Sequence, residues 1–280
     1  MALPIIEIGK VNTLKVLKQT EQGLYVGDDV EEILLPNKYI PEEARAGDML
    51  DVFIYTDSED RLIATTLTPK IQRDEFAYLK VKETTRFGAF LDWGLEKDLL
   101  VPFKEQLDKM YAGESYLVYM YLDDVTDRLV ASSHLNKFLE TEDIDLEEGE
   151  SVEILIGEPT DIGYQCIVND TYKGLVYKNE VFKAVQPGDR TMAYVKQVRP
   201  DKKIDLSLEP IGYESIEPNA DKVMKQLRSN DGYLSLHDKS DPEAIKNSLQ
   251  MSKKVFKKAI GALYKKRLIE LEQDGIRLKK

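Results

Sequence analysis

Three parts of this sequence repeat one spacing between an apolar run and a later glycine. Each glycine follows its run by eleven residues and is itself followed by an acidic residue. The pairs are residues 33–36 with Gly47, residues 99–102 with Gly113, and residues 174–177 with Gly188. A block that recurs after about 65 to 75 residues has the length of one small β-barrel domain. The spacing therefore predicts three small barrels in series.

The apolar residues inside each block indicate five short strands. Apolar and polar residues alternate along residues 8–16, as expected for a strand with one buried face. The acidic stretch at residues 56–60 is typical of a tight turn between the last two strands. Five strands with one longer connection is the strand count of an OB-type barrel. We expect barrels over residues 1–67, 68–140 and 146–212, with an acidic linker from 140 to 150.

The charge of the chain is divided unevenly between its two ends. The whole sequence has a formal net charge of −12. Residues 217–280 contain 15 Lys and Arg against 9 Asp and Glu, so this segment stands at +6 and residues 1–216 stand at −18. An acidic surface repels phosphate on average. Nucleic-acid binding by the first part would therefore depend on local grooves and base stacking, whereas the basic end could contact phosphates directly.

The basic segment, residues 217–280, has helical patterns in place of the strand patterns of the blocks. A short amphipathic helix comes first, and Asp241 followed by Pro242 signals the start of a second helix. Ser252 precedes a third helix that we expect to end near residue 267. A hairpin then turns at Gly275. Three helices followed by a two-stranded hairpin predict an α+β winged helix-turn-helix domain.

The third of these helices has one apolar side and one basic side. At 100° per residue, Phe256, Ile260 and Leu263 share the apolar side. The lysines that we predict to contact nucleic acid are Lys254, Lys257, Lys258 and Lys265. A lysine face favours phosphate contacts over base reading, since base edges are usually read by Arg, Asn or Gln. A solvated helix face, or a contact with protein, is the alternative.

The composition also predicts where in the cell the protein is found. No apolar run approaches the length of a membrane span, and the first residues lack a secretory signal. The single cysteine, Cys166, lies in an alternating strand pattern typical of a buried small residue. We therefore expect a cytoplasmic protein that does not bind membranes.

Short motifs in the blocks resemble the S1 RNA-binding domain, which is an OB-fold. They are Gly-Ala-Phe-Leu-Asp (88–92), Leu-Leu-Val-Pro (99–102), Gly-Leu-Val-Tyr (174–177) and Asp-Leu-Ser-Leu (205–208). The family pattern is roughly Gly-Ala-Phe-Val, Gly-Leu-Val-His, Gly-Asp and a final Leu-Ser. The second block matches best and the first matches least. The resemblance implies a multidomain, mainly β chain of three tandem S1-like OB-fold barrels, followed by the winged helix.

The resemblance also implies which residues contact RNA. In S1-like domains RNA lies across the second and third strands, where aromatic rings near the glycine and the residue at the His position touch bases. At the matching positions this sequence has Phe87, Phe90, Phe103, Tyr164 and Tyr177. The His position of the second block holds Pro102 instead. In the first block Tyr25 and Pro36 are the only counterparts.

Exposed rings and nearby cations suit these positions for physical reasons. A ring offers a flat face to any base, and stacking is worth about 1 to 3 kcal/mol per base. The cations placed to neutralise phosphates beside the second block are Lys80, Lys82, Arg86 and Lys104. Phe87 and Phe90 are three residues apart, so a regular pleat would put them on opposite faces unless Gly88 marks a bulge. The alternatives are that these rings belong to the barrel core and that the cations are ordinary solvated surface.

The helix sequence at residues 252–267, Ser-Lys-Lys-Val-Phe-Lys-Lys-Ala-Ile-Gly-Ala-Leu-Tyr-Lys-Lys-Arg, is the most specific motif of the chain. Together with three S1-like blocks, it is similar to the bacterial conserved virulence factor B family. That resemblance covers nearly the whole chain. It implies an RNA-binding regulator in which the barrels and the winged helix both contribute to binding.

Catalytic chemistry finds little support in the residues. His134 and His237 lack the spacing of a metal site, and no glycine-rich phosphate loop is present. We therefore predict a non-enzymatic protein without cofactor or metal that binds single-stranded RNA. Two alternatives stay open at this point. One is a DNA-binding transcriptional regulator led by the winged helix, and the other is a scaffold associated with the ribosome or with the transcription machinery.

Overall fold

The computed structural model describes residues 6–28, 30–210 and 216–279. In these ranges the strands close into three barrels, and three α-helices with a small sheet form the C-terminal domain. The chain divides into two compact units, of which the first ends at Leu139 and the second begins at Glu140. Barrels 1 and 2 belong to the first unit, and barrel 3 and the helical domain belong to the second. The boundaries of the four predicted domains stay a prediction.

Barrel 1 is closed by five strands in the order β1-β2-β3-β5-β4. They are β1 (Val11–Gln19), β2 (Gly23–Gly27), β3 (Glu32–Pro36), β4 (Met49–Thr56) and β5 (Leu62–Thr65). Only the pairing of β3 with β5 is parallel. Along β1, Leu14 and Val16 are buried and Lys15 between them is exposed, so the alternation seen in the sequence places one face in the core.

Barrels 2 and 3 repeat this strand order. Barrel 2 contains β6 (Phe76–Thr85), β7 (Gly88–Asp92), β8 (Leu99–Pro102), β9 (Ser115–Asp123) and β10 (Arg128–Ser132). Barrel 3 contains β11 (Ser151–Pro159), β12 (Gly163–Val168), β13 (Tyr172–Tyr177), β14 (Arg190–Val198) and β15 (Ile204–Ser207). In both, the third strand pairs in parallel with the fifth. The predicted fold class of three tandem OB-like barrels is confirmed.

The glycine that follows each apolar run makes the same contact in all three barrels. Its backbone adopts a φ between +92° and +102°, a region that glycine tolerates far better than other residues. Its N–H donates to a carbonyl oxygen of the barrel's first strand, from Gly47 to Val16 at 2.8 Å, from Gly113 to Val81 at 2.9 Å, and from Gly188 to Ile156 at 2.7 Å. The spacing found in the sequence is therefore the turn that returns the chain to the first strand and begins the fourth.

The C-terminal domain is the predicted winged helix, with one additional strand. It contains α1 (Ile216–Ser229), β16 (Tyr233–Leu234), α2 (Pro242–Leu249), α3 (Lys253–Lys265), β17 (Ile269–Leu271) and β18 (Ile276–Leu278). The sheet has the order β16-β18-β17, and β16 was not predicted because two residues show no period. The Ser252 hydroxyl caps α3 by accepting a hydrogen bond from the Val255 N–H at 3.1 Å. The apolar side of α3 is buried as expected.

Barrels 1 and 2 share part of their core. The rings of Phe53 and Tyr55 in β4 meet the edge of Trp93 at centroid distances of 5.7 and 6.0 Å. All three side chains are at most 3% exposed. The Lys97 ammonium of barrel 2 reaches barrel 1 and donates to the Asp57 carbonyl oxygen at 2.7 Å. Burial of three aromatic side chains at one junction holds the two barrels in a defined position.

Among the helices in the described ranges, none combines the length and the apolar composition that crossing a membrane requires.

Candidate nucleic-acid interface

Two exposed rings lie at one end of the β7–β8 pair. The register ends with Gly88 opposite Pro102, and Phe87 precedes the glycine while Phe103 follows the proline. A Cβ atom on Gly88 would stand 2.1 Å from the Val101 carbonyl oxygen, so only glycine allows the strands to approach this closely. Phe87 is 58% exposed and Phe103 is 56% exposed. The strand ends therefore present two aromatic side chains to solvent.

Phe90 lies further along β7, opposite Leu100, and is half-buried. It lines the same cavity as Phe87, so both rings serve one surface. The two rings share this surface for a reason other than the expected bulge at Gly88. The irregular register lies in the partner strand β6, between Val81 and Glu83, and Phe87 stands just before β7 begins. Because Phe87 is outside the strand, the alternation of the pleat does not separate the two rings.

The four predicted cations of barrel 2 have different surroundings. The Arg86 guanidinium lies 4.8 Å from the centroid of the Phe87 ring. Lys82 is paired with Asp98 at 2.6 Å, and this hydrogen bond raises the pKa of Lys82. Lys80 and Lys104 are exposed and form no ion pair with any residue that the structure describes. Lys82 is thus already neutralised by its neighbour, whereas the other three charges are available to a ligand.

The two predicted tyrosines of barrel 3 face different environments. Tyr164 is opposite the fully buried Val176 and packs against the barrel core, so the ring points inward. Tyr177 stands opposite Gly163, at the position that Pro102 occupies in barrel 2. It is half-buried like Tyr164, but its hydroxyl lies 3.4 Å from a carboxylate oxygen of Asp205 and accepts from the Arg199 guanidinium, which lies 5.9 Å from the ring centroid. The geometry therefore favours Tyr177 over Tyr164 as a ring that can meet a base.

Barrel 1 lacks the pair of exposed rings. Gly23 is opposite Pro36, as in barrel 2, but the residues outside this pair are Gln22 and Asn37. Tyr25 holds the position of Phe90, is half-buried like it, and has the Lys18 ammonium 4.8 Å from its ring centroid. The weak match of the first block to the S1 pattern thus corresponds to a barrel in which polar residues replace the two exposed rings beside the glycine–proline pair.

The predicted lysines of α3 form a basic surface. Lys254, Lys257, Lys258 and Lys265 are exposed. In the part of the chain that the structure describes, none of them has a carboxylate within ion-pair distance. Lysines in the barrels are often paired, for example Lys196 with Glu180 and Lys202 with Glu142. Part of the +6 charge of the C-terminal segment is therefore unpaired positive charge along one helix, α3.

The described residues contain neither a cluster of metal ligands nor a cysteine with a lowered pKa. Among residues 6–28, 30–210 and 216–279, no group of three or more His, Cys, Asp and Glu is arranged to hold a metal ion. Burial raises the pKa of the Cys166 thiol to about 12, so it stays protonated at neutral pH.

One exposed ring of barrel 2 and two residues of the cavity lining were not predicted from the sequence. Tyr111, 56% exposed, lies in the connection before β9 and matches no motif. Ser58 and Asp60 of barrel 1 line the cavity beside Phe87 and Phe90. Their stretch reads as an ordinary acidic turn, and no sequence signal places it next to barrel 2.

Comparison with known proteins places the chain in a family. The S1 domain family model matches residues 8–67 and 75–134, and the CvfB-like winged helix domain model matches residues 221–278. Conserved virulence factor B of Staphylococcus aureus strain N315 is 30% identical over 292 residues, which cover all of this chain and 97% of that protein. The chain belongs to the conserved virulence factor B family. The family models match barrels 1 and 2 and the winged helix, and the strand order shows that barrel 3 has the same topology as the first two.

Two further similarities extend over most of the chain. Uncharacterized protein YitL of Bacillus subtilis is 29% identical over 269 residues, covering 92% of this chain and 89% of that protein. A crystal structure of a multidomain protein with nucleic acid binding domains from Streptococcus pneumoniae is 24% identical, with a TM-score of 0.43, and covers 97% of this chain and 98% of that one. S1-type barrels and winged helices are nucleic-acid-binding modules, so the domain composition itself supports nucleic-acid binding.

Proposed function

We propose that this protein of the conserved virulence factor B family binds single-stranded RNA in the cytoplasm, without catalysis, as part of gene regulation. The observation that carries the proposal is the exposure of Phe87 and Phe103, at 58% and 56%, on adjoining strand ends of barrel 2. Large apolar rings held in water contribute little to folding, and adjoining ones usually belong to a binding surface. Unpaired bases are the ligands that stack on such rings.

The surrounding charges support the same ligand. Arg86 lies beside the Phe87 ring, and Lys80 and Lys104 are exposed on the same barrel without ion pairs in the described structure. We assign the rings to bases and these cations to phosphates. Phe90 would extend the stacking surface toward the cavity, and Tyr177 would supply one ring in barrel 3. An acidic barrel can bind RNA in this way where cations lie beside its rings, because a local positive groove and stacking act together.

The lysine face of α3 would contact the RNA backbone at a second place. Two weak sites in one chain raise the overall affinity through effective concentration, provided that one RNA reaches both. This division of work fits the split in charge, since the rings lie in the acidic part of the chain and the lysines in the basic part.

The rings can be tested directly by exchanging Phe87→Ala and Phe103→Ala in the full chain. One lost stacking ring should lower the affinity for a single-stranded RNA by about fivefold or more at fixed salt, and loss of both should lower it further. Fluorescence anisotropy with a labelled RNA measures the change. Tyr111→Ala is the control, because this tyrosine is equally exposed but lies outside the β7–β8 end. Unchanged affinity in the double variant would remove the basis of the proposal.

Duplex DNA is a second candidate ligand, and the unpaired lysines of α3 favour it. A winged helix can place its third helix in the major groove while its hairpin contacts the backbone. Competition between duplex DNA and single-stranded RNA for the same protein separates the two ligands. If duplex DNA displaces the RNA more readily than RNA displaces the DNA, duplex DNA is the preferred ligand and the winged helix has the leading role.

A further inference from the structure

The junction of barrels 1 and 2 creates a cavity that neither barrel has alone. Its volume is about 260 Å³, and it is lined by residues of both barrels. Phe87, Phe90 and Leu100 line it from barrel 2, and Ser58 and Asp60 line it from the β4–β5 turn of barrel 1. Sites for drug-sized ligands have about 300 to 1,000 Å³. A smaller cavity of this kind suits a ligand of the size of one base. We call it the junction pocket.

The walls of the junction pocket are held in place from both sides. Trp93, which lines it, packs edge-on against Phe53 and Tyr55 of barrel 1. Lys97, also in the lining, donates to the Thr56 hydroxyl at 3.1 Å as well as to the Asp57 carbonyl oxygen. The pocket is therefore formed before a ligand arrives, which lowers the cost of binding.

Its charged lining groups are two carboxylates, Asp60 and Asp98, and two cations, Lys97 and Arg128. Asp60 is hydrogen-bonded by Arg128 and lies 3.4 Å from the Lys97 ammonium. The Arg128 hydrogen bond, followed by the charge of Lys97, holds the pKa of Asp60 below its usual range. Asp98, a second lining carboxylate, accepts from Lys82 at 2.6 Å. Each carboxylate oxygen has more than one acceptor position, so both groups can still accept a hydrogen bond from a ligand.

We infer that the junction pocket binds one unpaired base that carries an exocyclic amino group. Aromatic walls at Phe87 and Phe90 provide stacking, and the carboxylates of Asp60 and Asp98 accept from the amino group. Acidic side chains recognise cytosine in this way through its N4 amino group. Uracil has a carbonyl oxygen at that position, which a carboxylate repels. The inference rests on the proposed function and adds to it a preference among bases.

This assignment also gives barrel 1 a role in binding. Its own second and third strands carry no exposed ring pair, since Gln22 and Asn37 stand where barrel 2 has Phe87 and Phe103. Barrel 1 instead contributes its β4–β5 turn as the far wall of the pocket. A degenerate S1 barrel thus takes part in recognition through a turn and not through its strand surface.

The test compares cytidine and uridine oligonucleotides of equal length on the full chain at fixed salt. These two bases differ at the amino group and the adjacent ring nitrogen. The native protein should bind the cytidine oligonucleotide at least about fivefold more tightly. Ser58→Trp should remove this preference because an indole on the exposed turn fills the pocket without altering its ion pairs. Ser58→Ala, the matched control, should retain the preference.

A second variant covers the case in which the tryptophan disturbs the turn. Asp60→Asn keeps the shape of the side chain but replaces a charged acceptor by a group that can also donate, so the preference for cytidine should shrink. Equal affinity of the native protein for both oligonucleotides, or a preference that survives Ser58→Trp, would overturn the inference. If both oligonucleotides bind equally and Phe87→Ala weakens both, only the pocket assignment fails. If neither binds, the proposed function fails with it.

Discussion

At the scale of single residues, neighbours in space decide what a repeated position does. The same close approach of two strands occurs at Gly23, Gly88 and Gly163, where an added Cβ would lie 2.1 Å from a carbonyl oxygen. The residue before each glycine differs, however, and only Phe87 is aromatic. The barrel fold does not specify which side chain precedes the glycine. Barrel 2 therefore has an aromatic surface because its sequence places Phe87 there, and not because its strands are arranged differently.

Two glycines allow a matched prediction about stability. Gly88→Ala should destabilise the first unit by about 2 kcal/mol or more, because the methyl group meets the Val101 carbonyl oxygen and the φ of +148° disfavours it. Gly261→Ala should stabilise the winged helix by about 1 kcal/mol, because that position is in the interior of α3 and a Cβ there meets nothing within 4 Å.

Urea unfolding measures both effects, with the fluorescence of the single tryptophan, Trp93, reporting on the first unit and circular dichroism on the helices. A tolerated alanine at Gly88 would contradict the claim of close approach. A destabilising alanine at Gly261 would contradict the view that its surroundings are open.

Glu209 gives a prediction about pH. Burial raises the pKa of this carboxyl, and its Oε1 atom has no hydrogen-bond partner among the described residues. Its folded pKa lies above the unfolded value, so the native state binds more protons between the two and stability falls as pH rises through that window. Glu209→Gln should therefore stabilise the second unit at neutral pH, and the gain should disappear below the usual Glu pKa. Urea unfolding at the two pH values checks this, and an equal gain at both would exclude the charge as its cause.

At the scale of elements, most strands and helices follow from local patterns and the exceptions have identifiable causes. The first strands of the barrels alternate clearly, and α2 and α3 have capping residues that the structure uses. The strand β16 was missed because it is too short to show a period. The end of α3 was predicted near residue 267, yet the helix ends at Lys265, and Arg267 has a φ of +60°. Sequence patterns locate elements better than they locate their ends.

The lysine face of α3 gives a prediction at this scale. The triple change Lys254→Gln, Lys258→Gln and Lys265→Gln should flatten the dependence of RNA affinity on salt, because each phosphate contact to a single strand contributes about 0.7 to the logarithmic slope. Loss of up to three contacts would lower the slope by about 2. Titrations at several salt concentrations measure it.

The matched control removes three charges that are already paired, by Lys18→Gln, Lys196→Gln and Lys202→Gln. Their partners are Glu32, Glu180 and Glu142. The control should leave the slope nearly unchanged. If the two triple variants alter the slope equally, net charge alone explains the effect and α3 has no special position.

At the scale of the whole molecule, the proposed binding surfaces are divided between the two units. The first has the exposed rings of barrel 2 and the junction pocket, and the second has Tyr177 and the unpaired lysines of α3. A ligand that extends from one kind of site to the other would gain affinity that neither site provides alone. The two kinds of site should therefore respond differently to RNA length.

A comparison of short and long single-stranded RNA checks this division. A short oligonucleotide that fits barrel 2 should lose affinity in Phe87→Ala and keep it when the three α3 lysines are replaced by glutamine. A long RNA should lose affinity in both variants, and more when they are combined. Binding isotherms for the four proteins with both RNAs give the result. If the lysine changes weaken both RNAs to the same degree, independent sites are excluded.

The amino-acid sequence by itself determined three barrels, a winged helix and the basic side of α3. Turn glycines, alternating strands and helix caps act over a few residues, so their effects can be read from local spacing. Tertiary structure decided which rings face water and which partners neutralise the cations. Tyr164 points inward because it is paired with Val176, and Lys82 is neutralised by Asp98. The junction pocket arises only where two barrels pack, since its walls lie far apart in the chain and meet through the burial of Phe53, Tyr55 and Trp93.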